Sequence, residues 1–453
     1  MNRRNFLSTM TVSGLGLLTL SAFPAFADDE FTGPRQFPVP TGTGIVGNIL
    51  VVGGGMAGAT VAKYLRLWGG QDVRVTLIEK SPSYTSNIMS NTVLTGQRTL
   101  DRLKYTYDVL TRHYGVDLLN EEVIEIGSDS IRLANGDIFL RGSDYDRLIL
   151  APGLEFDLLP GMTDLSEYET RIPHAWKAGE QTQLLRNQLL SLQPGHDVVI
   201  TIPKMPYRCP PGPYERACVI ADWLKVNKPG SQVIVLDAND DIVVEKDNFA
   251  HAFNTIHAGI VDYRAGCSIT NVNSDELSID YKQGSSTGFI KAGVLNPIPP
   301  QRAPHLLKAA GLLASDENPF APVDVLSYES KQVPFIHVIG DACLSTMPKA
   351  GHIGNQQAKT CADAILRRLQ GVEPDPAPVT NSACYTPITA TTATWLSAVY
   401  QYNPTTGNME IPSQHNPNPL TGKGSPIAAT AATTGNYRDM LTWFETLMGD
   451  TYA

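Results

Sequence analysis

A glycine-rich segment at residues 53–58 constrains the fold of this chain more than any other feature. Its pattern is Gly-x-Gly-x-x-Gly, preceded by an apolar run at 48–52 and followed by a segment of helical character at 59–68. Such glycines permit a tight turn after a buried strand, close approach of the backbone to a pyrophosphate, and close helix packing. A second β-branched run ends at Glu79, where a carboxylate can bind a ribose. The segment therefore predicts a βαβ unit that binds a dinucleotide.

A second motif lies far downstream. Residues 336–339 predict another buried strand, which Gly340 and Asp341 follow. A carboxylate at this position can accept hydrogen bonds from the ribityl chain of a flavin. Alone the motif would usually be only a turn, but with 53–58 it resembles the two-part signature of the glutathione-reductase-like flavoproteins. We therefore predict that FAD lies between the two motifs.

The length and the repeated α/β pattern indicate several domains. The 453 residues are too many for one compact core, and a second βαβ start lies at 198–237. The predicted fold class is α/β, with two Rossmann-like domains of the glutathione-reductase type and a C-terminal α+β interface domain. The predicted parts are a signal peptide at 1–27, a leader at 28–44, an FAD-binding domain in two parts at 45–155 and 295–375, a second Rossmann-like domain at 156–294, and the interface domain at 376–453.

The beginning of the chain predicts export. Arg3 and Arg4 precede a short apolar run at 12–23, and a small-residue cleavage site ends at Ala27. This order is typical of a secretory signal, and the paired arginines favour the twin-arginine route. A membrane anchor is disfavoured because spanning a bilayer takes about 20 apolar residues. We expect cleavage near Ala27, a periplasmic protein, and no transmembrane segment in the mature chain.

The charge and the second βαβ unit disfavour two kinds of ligand. A formal net charge of −10 argues against nucleic acid, which needs clustered Lys and Arg. The strand at 198–202 runs into a turn with three prolines, at 210, 211 and 213, rather than a glycine motif. Proline lacks the N–H that a pyrophosphate would need, so this unit is predicted not to bind NAD(P)H. No metal site is predicted.

Six cysteines are present, and in an oxidising compartment they can form disulfides. Cys209 lies just before a predicted helix, whose dipole would lower the thiol pKa, and Cys343 lies close to the flavin motif. These two are redox partners of the flavin, parts of a structural disulfide, or two unpaired buried thiols. Cys218 and Cys361 are predicted to pack in the core, and the roles of Cys267 and Cys384 stay open. No Cys-x-x-Cys pair is present, so any haem is carried by another polypeptide.

Four segments, at 173–182, 208–216, 298–303 and 339–343, resemble the flavoprotein subunit of flavocytochrome c sulfide dehydrogenase, a family related to the sulfide:quinone oxidoreductases. The resemblance implies oxidation of sulfide to sulfur or polysulfide through FAD, with electrons leaving to a c-type cytochrome subunit.

The resemblance also implies roles for three residues. It matches Cys209 and Cys343 to the redox disulfide of the family, and Glu215 to an acid/base carboxylate. A solvated glutamate at a helix start is the other interpretation of Glu215. The predicted cofactor-binding residues are Gly53, Gly55, Met56, Ala57, Gly58, Glu79, Lys80, Asn91, Ala151, Gly153, Gly340, Asp341 and Lys349.

The chain departs from the family at the position of the flavin tether. The family commonly bonds FAD to a cysteine, whereas this chain has Asn87 there and no cysteine before Cys209. We therefore predict non-covalent FAD. Two alternatives stay open: an enzyme of the sulfide:quinone oxidoreductase type, and a flavin electron-transfer protein with another thiol or sulfur donor. Residues 438–452 include three acids, which disfavours docking into a membrane.

Overall fold

The computed structural model describes residues 36–315, 317–418 and 421–453. The predicted signal peptide, its cleavage site and the first part of the predicted leader lie outside the described residues.

The first part of the FAD-binding domain is built around parallel strands. Its strands are β1 Gly47–Val52, β2 Val73–Ile78, β3 Ser83–Thr85, β4 Lys104–Thr106, β5 Asp117–Leu119, β6 Val123–Ile126, β7 Ser130–Leu133, β8 Ile138–Leu140, β9 Arg147–Leu150 and β10 Glu155–Phe156. Its helices are α1 Met56–Gly69, α2 Ser90–Leu94 and α3 Asp108–Arg112. Strands β6 to β8 form a separate antiparallel sheet of three strands.

The second Rossmann-like domain follows. Its helices are α4 Ser166–Thr170, α5 Glu180–Ser191, α6 Gly212–Asn227 and α7 Lys246–His251. Its strands are β11 Val198–Ile202, β12 Val233–Asp237, β13 Val261–Arg264, β14 Cys267–Asn273, β15 Ser278–Gln283, β16 Ser286–Lys291 and β17 Val294–Pro297. The parallel sheet has the order β13-β12-β11-β17. The predicted boundary at 294/295 cuts β17, whose pairing with β11 places residues 294–297 in the second sheet.

The remaining chain returns to the first domain and then adds a third layer. It contains β18 Gln301–Arg302, α8 His305–Ala309, β19 Ala321–Pro322, β20 Ile336–Val338, β21 Cys343–Leu344, α9 Gly351–Leu369, β22 Val379–Pro387, β23 Ala393–Asn403, β24 Asn408–Glu410, β25 Ile427–Ala428 and α10 Thr434–Tyr452. Strand β20 completes a parallel sheet in the order β20-β9-β1-β2-β5. Both glycine motifs therefore follow strands of one sheet, at the same carboxyl edge.

The hydrophobic residues explain this arrangement. Strand β11 is buried along its whole length and β1 is buried except at Asn48, and most of their residues are apolar, as expected for strands covered by helices on both faces. One core cluster joins β1, α1, α9 and α10, and a second lies beneath β11 and α6. The predicted α/β fold class is confirmed. The antiparallel strands β22 to β24 and α10 close over the crevice between the two Rossmann-like parts.

Candidate active site

A cleft lies where the three parts of the fold meet, with about 1260 Å³ of empty space when the part open to solvent is included. Its walls come from the glycine-rich turn before α1, the residues around α2, the start of α6, the motif at Gly340, the start of α9, and β22. In open α/β sheets, ligands bind outside the carboxyl ends of the strands, and this cleft has that position.

The glycine-rich turn is shaped to receive a pyrophosphate. Gly53 has a φ of +98°, and a Cβ there would lie 2.4 Å from the carbonyl oxygen of Ala151. A Cβ on Gly58 would lie 1.7 Å from the carbonyl oxygen of Gly53, so the helix can pack this closely only without a side chain. A Cβ on Gly55 would meet nothing nearer than Tyr84, at 3.8 Å, and would project into the cleft. The turn thus leaves room beside Gly55 for a bound group.

The start of α1 supplies donors for that group. No side chain caps this end of the helix, and Met56 and Ala57 line the cleft. Uncapped amides at a helix N-terminus bind phosphate oxygens. The carboxylate of Glu79 accepts hydrogen bonds from the N–H groups of Gly54 (2.7 Å) and Ser81 (2.8 Å), so it fixes the turn from the end of β2. The amides at the start of α1 fit the pyrophosphate of FAD, whereas Glu79, the predicted ribose ligand, lies outside the lining of the cleft.

The second motif brings a carboxylate and a second helix start to the same cleft. Gly340 has a φ of +74°, and Asp341 forms an ion pair with Arg208 at 3.4 Å. Gly351 begins α9, whose first residues line the cleft and have no side-chain cap. The positive end of this helix dipole favours negative charge on a group bound there.

The structure brings most of the predicted cofactor residues together, but not all. Asn91, Ala151 and Gly153 line the cleft with the two motifs. Lys80 does not, because its ammonium group forms an exposed ion pair with Glu122 at 2.7 Å. Lys349 is also directed elsewhere, since its Nζ donates to the carbonyl oxygens of Asp341 (2.8 Å) and Cys343 (2.9 Å). Its ammonium group thus braces the backbone of the second motif.

Cys209 faces the cleft in a strained backbone conformation. Its φ is +58°, in the left-handed region that residues other than glycine rarely adopt, and its N–H donates to the carbonyl of Lys349 at 2.7 Å. Met89 and Ala175, which also line the cleft, have positive φ values of 68° and 47°. Such strain clusters at functional sites.

The thiol pKa of Cys209 shifts in the opposite direction to the one predicted. Burial raises this pKa well above its usual value, and negative charge on Cys384 and Glu215 raises it further. The structure thus favours a raised rather than a lowered thiol pKa, because removal from water disfavours the thiolate.

The structure does not bring the predicted partner of Cys209 to the cleft. Cys343 is buried, with 1% exposure, and its Sγ lies 3.7 Å from Oε1 of Gln357, outside the lining of the cleft. Cys384 on β22 instead lines the cleft together with Cys209. All six cysteines are free thiols in this structure. No local pattern could have indicated Cys384, because only the packing of the β22 sheet over the crevice brings it there.

Glu215 lies beside the two thiols and is buried rather than solvated. Its Oε1 accepts a hydrogen bond from Nδ2 of Asn91 at 2.8 Å, and burial raises its pKa to about 8. The Asn91 Oδ1 accepts from Nε of Arg216, also at 2.8 Å. A carboxyl group that titrates near neutral pH, next to two thiols, can take up and release a proton.

Arg216 and Trp176 complete this wall, and the sequence motifs contained both residues without indicating their roles. The guanidinium group of Arg216 is buried and lies 4.6 Å from the ring centroid of Trp176. It donates to Asn91, Asn296 and two backbone carbonyls, all of them neutral acceptors. Its charge therefore favours anions in the cleft.

In the second Rossmann-like domain, side chains of the protein itself occupy the position at which a dinucleotide ribose would bind. Asp237 ends β12, the position at which such domains bind a ribose. Its buried carboxylate instead accepts from the hydroxyl groups of Tyr214 (2.7 Å) and Tyr263 (2.9 Å) and from Nδ2 of Asn239 (2.8 Å). Together with the prolines before α6, this arrangement leaves the carboxylate unavailable to a nicotinamide dinucleotide.

Comparisons with known proteins agree with this architecture. Residues 182–299 match the family model for the central part of the sulfide dehydrogenase (flavocytochrome c) flavoprotein chain, and residues 47–200 match the pyridine nucleotide-disulphide oxidoreductase model. The chain is thus a flavoprotein oxidoreductase with the FAD/NAD(P) disulfide-oxidoreductase fold, and FAD is the implied cofactor. Its resemblance to the flavoprotein chain of flavocytochrome c sulfide dehydrogenase is confirmed by the central match.

Solved structures share the fold. The sulfide:quinone oxidoreductase of the hyperthermophilic bacterium Aquifex aeolicus superposes with a TM-score of 0.72 and 16% identity, over 89% of this chain and 91% of that chain. An NAD-dependent persulfide reductase from A. fulgidus gives a TM-score of 0.55 and 15% identity, over 78% and 71%. The covalent putidaredoxin reductase–putidaredoxin complex gives 0.58 and 19%, over 78% and 81%. Among the residues described, no helix combines the length and apolar character needed to cross a membrane.

Proposed function

We propose that this chain is an FAD-dependent sulfide dehydrogenase that oxidises sulfide to sulfur or polysulfide and passes the electrons to a c-type cytochrome subunit. The observation that carries the proposal is the presence of two thiols, Cys209 and Cys384, in the same cleft as the two glycine motifs. The family match of the central region supports the choice of sulfide as substrate.

The cysteine pair acts in its disulfide form. Hydrosulfide attacks one sulfur, the Cys209–Cys384 bond breaks, one cysteine becomes a persulfide, and the other leaves as a thiolate. A second hydrosulfide takes the outer sulfur of the persulfide and leaves as polysulfide, so both cysteines are then thiols. The Cys209–Cys384 disulfide re-forms as this pair gives up two electrons and its protons. FAD, when bound, would supply the acceptor for these two electrons and could release them singly to a haem. Glu215 accepts a proton from the persulfide, and the buried charge of Arg216 stabilises the anions formed in the cleft.

We propose that FAD is held without a covalent bond. No cysteine precedes Cys209, and Asn87, at the position of the family's tether, lines the cleft. The Oδ1 of Asn87 accepts a hydrogen bond from the N–H of Ala178 at 2.7 Å, so its side chain has a structural partner. Acid precipitation tests this point: the flavin should remain in the supernatant, and flavin that stays with the protein would contradict it.

The same proposal places the protein in the periplasm. The arginine pair and the apolar run before Ala27 support export by the twin-arginine route, which carries folded, cofactor-loaded proteins. The haem belongs to the partner cytochrome, since the chain has no Cys-x-x-Cys pair. Cell fractionation with an epitope tag after Ala453 tests the location, and a cytoplasmic pool of uncleaved protein would contradict it.

One set of absorbance measurements separates the candidate functions. Purified protein is mixed anaerobically with sulfide, thiosulfate or NADH, and the visible band of FAD is followed. We expect bleaching with sulfide and none with NADH. Bleaching by NADH alone would make the protein a flavin reductase, and bleaching by thiosulfate alone would indicate another sulfur donor. No response to any of the three would leave only an electron-transfer role.

The electron acceptor also distinguishes the proposed function from its alternative. The fold likeness to the A. aeolicus enzyme keeps a quinone acceptor as the alternative to a cytochrome. Sulfide-reduced protein is therefore mixed with oxidised cytochrome c or with a soluble quinone. Faster reoxidation by cytochrome c supports the proposal, whereas faster reoxidation by quinone supports the alternative.

A further inference from the structure

The last helix, α10, contacts the glycine-rich turn directly. The hydroxyl group of Tyr452 donates a hydrogen bond to the carbonyl oxygen of Gly54 at 2.9 Å, and Tyr452 is buried, with 3% exposure. Burial raises the pKa of Tyr452 well above its usual value, so its hydroxyl group remains a donor. A residue 398 positions away in sequence thus binds the middle of the predicted pyrophosphate-binding turn.

The turn is consequently held on both sides. Glu79 accepts from the N–H of Gly54, and Tyr452 donates to the carbonyl of the same residue. In a trans peptide the C=O and the N–H point in opposite directions. Holding the Gly54 carbonyl toward α10 therefore turns the N–H of Gly55 away from α10, and no acceptor for it is found among the described residues. Gly55 lines the cleft, so this amide is presented to a phosphate.

The ring of Tyr452 also contacts the wall of the cleft. It stacks on Tyr84, which lines the cleft, with ring centroids 5.4 Å apart and an interplanar angle of 16°. On another side it stacks on Tyr105, also at 5.4 Å. Stacked aromatic side chains have few accessible conformations, so the position of the hydroxyl group is well defined.

Buried polar contacts anchor this end of α10 to the two helices that begin at the cleft. Lys63 on α1 donates to the carbonyl oxygens of Gly449 (3.3 Å) and Asp450 (3.0 Å). On α9, Asn355 donates to the carboxylate of Asp450 at 2.8 Å, and Lys359 pairs with the same carboxylate at 2.8 Å. The helix end that carries Tyr452 is thereby fixed relative to both helix starts.

We propose that Tyr452 is a cofactor-positioning residue, which fixes the Gly54 peptide so that FAD is retained in the turn without a covalent bond. The inference rests on the proposed non-covalent binding of FAD. It assigns to α10 the role of retaining FAD, which the tether cysteine has in the family. The helix does so by restricting the conformations of the turn at 53–58 that holds the pyrophosphate.

The test compares Tyr452→Phe with Tyr437→Phe in the FAD-loaded protein. Tyr437 lies on the same helix, and its hydroxyl group accepts a bond from Gln97 at 3.2 Å, outside the lining of the cleft. Release of FAD after dilution is followed by the rise in flavin fluorescence. We expect release from Tyr452→Phe to be roughly fivefold faster, the factor that corresponds to one lost hydrogen bond, with added FAD restoring the bound spectrum. Tyr437→Phe should match the unchanged protein.

Thermal unfolding in saturating FAD separates an effect on FAD positioning from a general loss of folding stability. The proposal is supported when both variants remain fully folded at the temperature of the release measurement while only Tyr452→Phe loses FAD faster. It is overturned by release within twofold of the unchanged protein, by equal acceleration in both variants, or by flavin that stays with acid-precipitated protein. The measurement uses no sulfide, so an absence of sulfide-dependent reduction would contradict the proposed reaction and leave this result standing.

Discussion

The side chain of Asn91 joins Glu215 to the interior of the fold through a buried hydrogen bond of 2.8 Å between residues 124 positions apart. The same amide accepts a hydrogen bond from Arg216, so one neutral side chain links a buried carboxyl group to a buried guanidinium group. Glu215 therefore stays in place beside Cys209 and Cys384 whether or not it is ionised.

The first prediction concerns the effect of Glu215 on Cys209. Burial raises the pKa of Glu215 to about 8, and above that pH its charge raises the pKa of the Cys209 thiol. Glu215→Gln removes this charge, so the Cys209 thiolate should form at lower pH. We expect alkylation of Cys209 by iodoacetamide, measured by mass spectrometry on reduced protein, to be at least about threefold faster at about pH 9.

Glu125→Gln serves as the matched control, because Glu125 is exposed and paired with Arg132 at 2.9 Å. Its alkylation profile should equal that of the unchanged protein. A Glu215→Gln profile that also equals it would show that the carboxyl group does not act on the thiol.

The second prediction compares two cysteines. Cys384→Ser should slow sulfide-dependent bleaching of FAD by about a hundredfold or more, because the disulfide that hydrosulfide attacks can no longer form. Cys343→Ser should retain the rate within about twofold, since Cys343 lies outside the lining of the cleft. Stopped-flow absorbance measures both, and a large loss in Cys343→Ser with none in Cys384→Ser would restore the pairing expected from the sequence.

Local signals in the sequence were enough to predict the fold class and the two glycine motifs, which the structure brings to one cleft. The turn at 53–58 and the motif at Gly340 each join a strand to the residues that follow it, so backbone requirements alone determine their residues. The short, mostly apolar runs of β1 and β11 likewise indicate buried parallel strands without information from distant residues. Each of these features is decided within about ten residues of chain.

The parts of the site that depend on distant packing could not be predicted. Cys384 reaches the cleft only because β22 folds over it, and nothing near Cys384 in the sequence indicates that contact. The direction of the Cys209 pKa shift depends on how much water the surrounding chain removes, which the helix start alone does not determine. Lys80 directly follows Glu79, the predicted ribose ligand. Its side chain nevertheless points to Glu122, in the connection between β5 and β6, with which it forms an ion pair.

The third prediction separates a glycine that binds the cofactor from one that packs the fold. A side chain at Gly55 would enter the cleft, whereas a side chain at Gly58 would collide with the backbone of Gly53. Gly55→Val should therefore weaken FAD binding by at least about a hundredfold, with little change in the unfolding of the FAD-free protein. Gly58→Val should lower the free energy of unfolding by about 2 kcal/mol or more.

Flavin content after gel filtration measures the effect on FAD binding. Urea denaturation of the FAD-free proteins measures the effect on folding stability. Full flavin content in Gly55→Val would contradict the assignment of this turn to the pyrophosphate.

The fourth prediction concerns stability in acid and rests on His174, which is buried, with 3% exposure. Burial first, and then the charges of Arg216 and Arg208, lower its pKa to about 3. The unfolded chain therefore binds a proton that the folded chain does not between about pH 6.5 and about pH 3, and the folded state loses stability as the pH falls through that range. From pH 7 to pH 5 the expected loss from this residue is about 2 kcal/mol.

His174→Asn removes the titration while keeping an acceptor for the N–H of Trp176, which donates to Nδ1 of His174 at 2.9 Å. The free energy of unfolding in urea, measured at the two pH values in saturating FAD, should therefore fall by about 2 kcal/mol less in this variant than in the unchanged protein. His196→Asn, at an exposed position, should behave as the unchanged protein does. Because His174 packs at 4.2 Å against Phe156 and its carbonyl accepts from Arg216, an equal pH dependence in all three proteins would mean that this wall of the cleft opens to water before the chain unfolds.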